Sequence, residues 1–111
     1  MERIQQVNQL IKKELGQIIL REGDFPKNVL VTLTRVETSR NLIDSMVYVS
    51  VLPENQSQTI LEILNRRIFH IQQLLNKRLR MRPIPKIQFI EEEATRDAGR
   101  IEELLKKIKN E

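Results

Sequence analysis

Hydrophobic periodicity along this chain specifies a two-layer α+β domain in the order helix, strand, strand, long helix, strand, terminal helix. Three observations carry that reading: an opening stretch with apolar residues at helical spacing, two β-branched stretches joined by a short polar connection, and a long amphipathic helix followed by another strand. At 111 residues and 13.2 kDa the chain is expected to be one domain spanning 1–111, large enough for its own core and too short for two.

Ile4, Val7, Ile11, Leu15 and Ile18 recur at helical spacing with Lys12 and Lys13 turned away, which predicts a helix over residues 2–21. Gly23-Asp24-Phe25-Pro26 should end it, because Gly permits a turn and Pro cannot continue a helix. From Val29 to Val36 the residues are β-branched and alternating, a strand with Val29, Val31 and Leu33 on one face. Glu37-Thr38-Ser39-Arg40-Asn41 leads to a second strand over 45–52, where Val47, Val49 and Val51 share a face. So short a link favours an antiparallel pair.

Pro53-Glu54-Asn55-Gln56-Ser57 is a turn cluster, with Ser57 the expected cap of a helix beginning near Gln58. That helix should stop before Pro83, since the residue preceding a proline is pushed out of the helical region. Residues 84–90 read as a third strand with Ile87 and Phe89 on one side, closed by Glu91, Glu92 and Glu93 as a solvated acidic end. Residues 97–109 carry Ile101, Leu104, Leu105 and Ile108 at helical spacing and predict a terminal helix.

Composition excludes several function classes. With 40% apolar and 31% charged residues the chain has the makeup of a folded globular protein rather than a disordered one. It has no Cys and one His, which argues against a disulfide framework, thiolate chemistry or a zinc site. No phosphate-cradling Gly loop or nucleophile motif is present, so neither catalysis nor a cofactor is expected. The start lacks the build of a signal peptide, and no apolar run is long enough to span a bilayer; a cytoplasmic protein without a membrane or small-molecule partner is expected.

Charge is where the chain departs from the ordinary. Between Ile63 and Ile90 stand seven Lys or Arg residues and one His with no acid, while the whole chain carries only +4, so the remaining residues are net negative. On an ideal helix Leu64, Ile68, Ile71, Leu75 and Leu79 form one stripe. Arg66, His70, Gln73, Lys77 and Arg80 fall about half a turn away, with Arg67 and Arg78 on the flank. Ordinary solvated helices interleave Glu for i,i+4 pairs, and this one has none after Glu62. A polyanion, nucleic acid above all, is the partner this pattern fits. The candidate contacts are Arg66, Arg67, His70, Lys77, Arg78, Arg80, Arg82 and Lys86, with Arg40 from the connection between the first two strands.

Aromatic residues are limited to Phe25, Tyr48, Phe69 and Phe89, too few for a sheet that reads bases by stacking; Tyr48 is the one candidate platform, and a core or edge role is expected of it first. Recognition should rest on shape and phosphate positions. His70 lacks a nearby acid in its helix to orient it, so a phosphate contact or an exposed neutral ring is expected rather than acid/base chemistry.

Val36-Glu37-Thr38-Ser39-Arg40-Asn41-Leu42 followed by 47–52 resembles the bacterial ribosome-binding factor A family, as do residues 7–20, Leu79-Arg80-Met81-Arg82 before Ile84-Pro85-Lys86-Ile87, and 100–105. The blocks cover nearly the whole chain in the family's order. The resemblance implies a type II KH fold with a three-stranded mixed sheet backed by helices. It also implies a non-catalytic factor that binds the immature small ribosomal subunit, assists processing of its rRNA and matters most in the cold. A monomer is expected.

Departures are local. Where such relatives carry an Ala-x-Gly kink this chain has Arg67-Ile68-Phe69, with no Gly between Gly23 and Gly99, leaving an unbroken helix or a bend held by tertiary contacts. Asn41 stands for a usual Asp and Ser45 for a usual Ala. Two readings compete with the leading one: a generic KH-like RNA or single-stranded DNA binder, and a protein-interaction or membrane-surface module using the same amphipathic helix.

Overall fold

The computed structural model describes residues 3–22 and 25–92. Helix α1 (Arg3–Glu22) buries Val7, Ile11, Leu15, Ile18 and Ile19, the stripe that a 3.6-residue repeat places on one side. Strands β1 (Leu30–Thr38) and β2 (Asp44–Leu52) pair antiparallel, and β3 (Lys86–Glu91) adds parallel to β2, giving the order β1-β2-β3. This is the mixed sheet that the resemblance implies.

Between β2 and β3 the chain runs through a 3-10 turn (Glu54–Gln56), α2 (Ser57–Arg66) and α3 (Ile68–Arg78). Ser57 does not cap α2. It is the first helical residue and is buried, while Gln56 occupies the cap without a side-chain bond. The 3-10 turn makes the entry instead, closed by Gln56 N–H donating to Pro53 O at 3.0 Å. At the far end α3 stops at Arg78, and Leu79 is extended (φ −96°, ψ 139°) yet still buried. Arg80 therefore projects from the connecting chain rather than from a helix.

The core lies between one sheet face and the helices. Val47, Val49, Val51, Ile87 and Phe89 meet Ile11, Leu15, Ile18, Ile60, Leu64, Ile71 and Leu75, all buried. Each such side chain contributes about 1.5–3 kcal/mol on burial. Val31 and Leu33 face this core opposite Val51 and Val49, as the alternation predicts, but the register then shifts at Thr34, so Val36 rather than residue 35 lies opposite Val47. The bulge keeps Val36 in the core and puts Arg35 on the outer face.

Ser45 is fully buried on the core face, where its hydroxyl lies 2.7 Å from Thr38 Oγ1, which donates to Asn8 Oδ1. Ser45 therefore donates to Thr38, and this chain of bonds offsets the cost of a buried hydroxyl. The terminal helix expected over 97–109, and Glu93, lie outside the described residues.

Candidate nucleic-acid interface

The long basic segment is bent. Arg67 leaves helical geometry (φ −103°, ψ 10°), its N–H shared between Ile63 O at 3.3 Å and Leu64 O at 3.2 Å, and α3 restarts with Ile71 N–H on Arg67 O at 3.0 Å. The Arg67 guanidinium donates to the backbone carbonyl of Glu22 and lies 3.6 Å from the Glu22 carboxylate, which His70 Nε2 approaches at 3.7 Å. A cation on the last carbonyls of α1 suits the negative end of its dipole. Of the two conformations left open by the missing Gly, the chain adopts the bend held by tertiary contacts.

Arg78 also turns inward. Its Nη1 donates to Glu14 Oε2 at 3.1 Å and to Gln17 Oε1 at 2.9 Å, tying the last turn of α3 to the middle of α1. Three of the nine candidate residues, Arg67, His70 and Arg78, thus face carboxylates of α1 within the molecule.

The others divide between two places. Arg66 is exposed beside the bend. Lys77, Arg80, Arg82 and Lys86 gather where α3 gives way to β3, around two shallow clefts that share Asn76 and Arg82. One cleft adds Gln73, Lys77 and Arg80, the other Gln72, Ile84 and Lys86. Among the described residues Arg82 Nη1 donates to the neighbouring Met81 carbonyl, and no carboxylate pairs with Lys77, Arg80, Arg82 or Lys86.

Gln72 fixes this end. Its Oε1 accepts from Ile87 N–H at 2.9 Å, and its Nε2 donates to Pro85 O at 3.1 Å and to Asn76 Oδ1 at 3.0 Å. The side-chain amide thereby stands where a neighbouring strand's peptide group would, satisfying the outer edge at the start of β3. Nothing in the sequence singled out Gln72. Its partners, 13 and 15 residues away, leave no local signal.

Arg40 joins the same end through backbone pairing. Lys86 N–H donates to Ile43 O at 2.8 Å and Asp44 stands opposite Lys86, so the Ser39–Ile43 turn lies beside the start of β3. The turn is closed by Leu42 N–H on Ser39 O at 2.9 Å, and Asn41 Oδ1 accepts from Ile43 N–H at 3.1 Å and from Ser39 Oγ at 2.6 Å. Both Asn41 bonds use a carbonyl oxygen that a carboxylate would replace directly. Leu42 takes a positive φ of 62° in this turn.

The outer sheet face has the opposite character. Arg35 stacks over the Tyr48 ring at 3.9 Å, pairs with Glu37, and donates Nε to Glu92 Oε2 at 2.8 Å; Thr34 Oγ1 donates to the same oxygen at 2.9 Å. The Tyr48 hydroxyl donates to Glu37 Oε2 at 3.3 Å. The Glu92 bond, with Glu37 adding to it, raises the Arg35 pKa. Desolvation first, then the nearby Glu37 charge, raises that of Tyr48. Glu92, expected at a solvated acidic end, is instead buried and paired, because it follows β3 onto the face that the bulge gives to Arg35. Tyr48 is half-buried with a cation already on its ring, which makes it a poor stacking platform.

Among the described residues no cluster of His, Cys, Asp and Glu could hold a metal ion, and no helix is long and apolar enough to cross a membrane. The family model for ribosome-binding factor A matches residues 3–105. A ribosome-binding factor A from Thermodesulfovibrio yellowstonii is 36% identical over 107 residues, covering 96% of this chain and 91% of that protein. The crystal structure of ribosome-binding factor A from Thermus thermophilus shares the fold, with a TM-score of 0.70 at 24% identity over 81% of this chain and 97% of that one. Thermus thermophilus ribosome-binding factor A as fitted into the cryo-electron microscopy map of its complex with the 30S subunit gives a TM-score of 0.62 at 26% identity, covering 76% and 89%. A match of family model and relatives over nearly the whole chain, on a shared α+β fold, establishes that this chain belongs to the ribosome-binding factor A family.

Proposed function

We propose that this chain is a non-catalytic assembly factor that binds the immature small ribosomal subunit as a single domain and a monomer in the cytoplasm, assisting maturation of its rRNA, including in the cold. The observation that carries the reading is the gathering of Lys77, Arg80, Arg82, Lys86 and Arg40 at one end of the described structure. Among the described residues these cations have no carboxylate on them, which supports their being available to phosphates, and a relative has been placed on the 30S subunit. Direct rRNA contact is assigned to these five and to Arg66. Arg67, His70 and Arg78 hold the bend and the α1–α3 packing that aim them.

The test is charge reversal at the end cluster. A Lys77→Glu/Arg80→Glu/Arg82→Glu variant should keep its circular dichroism spectrum and thermal transition, since all three side chains are exposed, and should lose retention on small subunits. Full retention by the folded variant would remove the cluster from docking.

A further inference from the structure

We propose that Phe69 is a stacking platform for an unpaired RNA base, at the head of a single-strand track along the exposed face of α3. This rests on the RNA-docking reading above and names the ligand class of a part of the surface which that reading leaves unassigned.

Phe69 is 74% exposed, while Phe89 is buried, Phe25 is half-buried and Tyr48 has Arg35 over its ring. Among the described residues it is the aromatic with both an open surface and no cation stacked upon it. Its placement follows from the bend. Ile68, Ile71 and Leu75 turn α3 toward the core, so at roughly 100° per residue Phe69, Gln73 and Asn76 share an outward stripe. Gln73 and Asn76 line the cationic cleft that also holds Lys77 and Arg80. The stripe from Phe69 to Asn76 is about 10 Å long, a span of one to two nucleotides of extended strand. Arg66, the exposed last residue of α2, lies three residues before Phe69 across the bend, and no acid occurs on the stripe.

The stripe thus offers a π-face, the Gln73 amide and the Asn76 amide nitrogen, whose oxygen already accepts from Gln72, to pair with base edges, and cations flanking it for phosphates, the combination used to hold single strands. Where the family resemblance places Gly, this chain spends a large apolar ring on solvent. Burial in the core cannot account for it.

The chain has no Trp, so a Phe69→Trp variant carries a single reporter at the proposed platform. A short unstructured RNA oligonucleotide should quench its fluorescence, and the same RNA annealed into a duplex should quench it far less. Phe69→Leu should weaken oligonucleotide binding by about tenfold, as expected for one lost base stack, with Phe69→Trp binding as wild type. Absence of quenching, or wild-type affinity in Phe69→Leu, while the unaltered protein still binds small subunits, would overturn the platform and leave the docking reading standing. Weakened small-subunit binding by Phe69→Leu without quenching by RNA would place the ring against protein and overturn it equally. Failure of the unaltered protein to bind small subunits would remove the docking reading, and the platform with it.

Discussion

Gln72 closes the edge of β3 with one side-chain amide, and its removal should be costly. Gln72→Leu leaves Ile87 N–H and Pro85 O without their partner in a partly buried place, a loss of about 1–3 kcal/mol in chemical denaturation. Amide exchange at Ile87 should speed more than exchange at Phe89. Tyr48 offers a second test because it is the single tyrosine. Its phenol, held neutral by desolvation and by Glu37, should ionise above the ordinary value of about 10, and Glu37→Gln should lower the midpoint in an absorbance titration. Because the folded-state value is the raised one, the stability linked to the neutral phenol is complete below pH of about 10 and is lost as pH rises through the folded midpoint.

At the scale of elements, periodicity predicted α1, both antiparallel strands and β3 to within a few residues because their apolar faces are unambiguous. The bend stood as one of two open alternatives, and neither the contacts that hold it nor the bulge nor the Arg78 tie was legible. Arg67 meets Glu22 across 45 residues and Arg78 meets Glu14 across 64, so no local pattern announces them. The bulge at Thr34 shows in sequence only as a break in alternation between Leu33 and Val36. For the same reason the basic segment reads as one ladder in sequence but is divided in three dimensions into inward ties and an outward cluster. A double-mutant cycle of Arg78→Met with Glu14→Gln should give a coupling of about 1 kcal/mol, since both side chains are partly shielded from solvent. Leu75→Ala, at a fully buried contact of α3 with the core, should cost about 2–5 kcal/mol.

At the scale of the molecule, charge among the described residues is segregated by architecture. The α3–β3 junction and the Ser39–Ile43 turn present cations, while the outer sheet face holds Glu37 and Glu92 around Arg35 and Tyr48. On the proposed docking, RNA approaching the sheet face would meet these carboxylates, and the expected result is an approach through the junction. If about five phosphates are neutralised, affinity for a single strand should fall roughly a hundredfold between 50 and 200 mM salt. The most direct test is co-sedimentation of the protein with small subunits, large subunits and naked RNA across that salt range. Retention selective for small subunits, persisting where naked RNA has been released, is the predicted result. Equal, salt-labile binding to every polyanion would contradict the assembly-factor account and leave a generic basic RNA-binding domain.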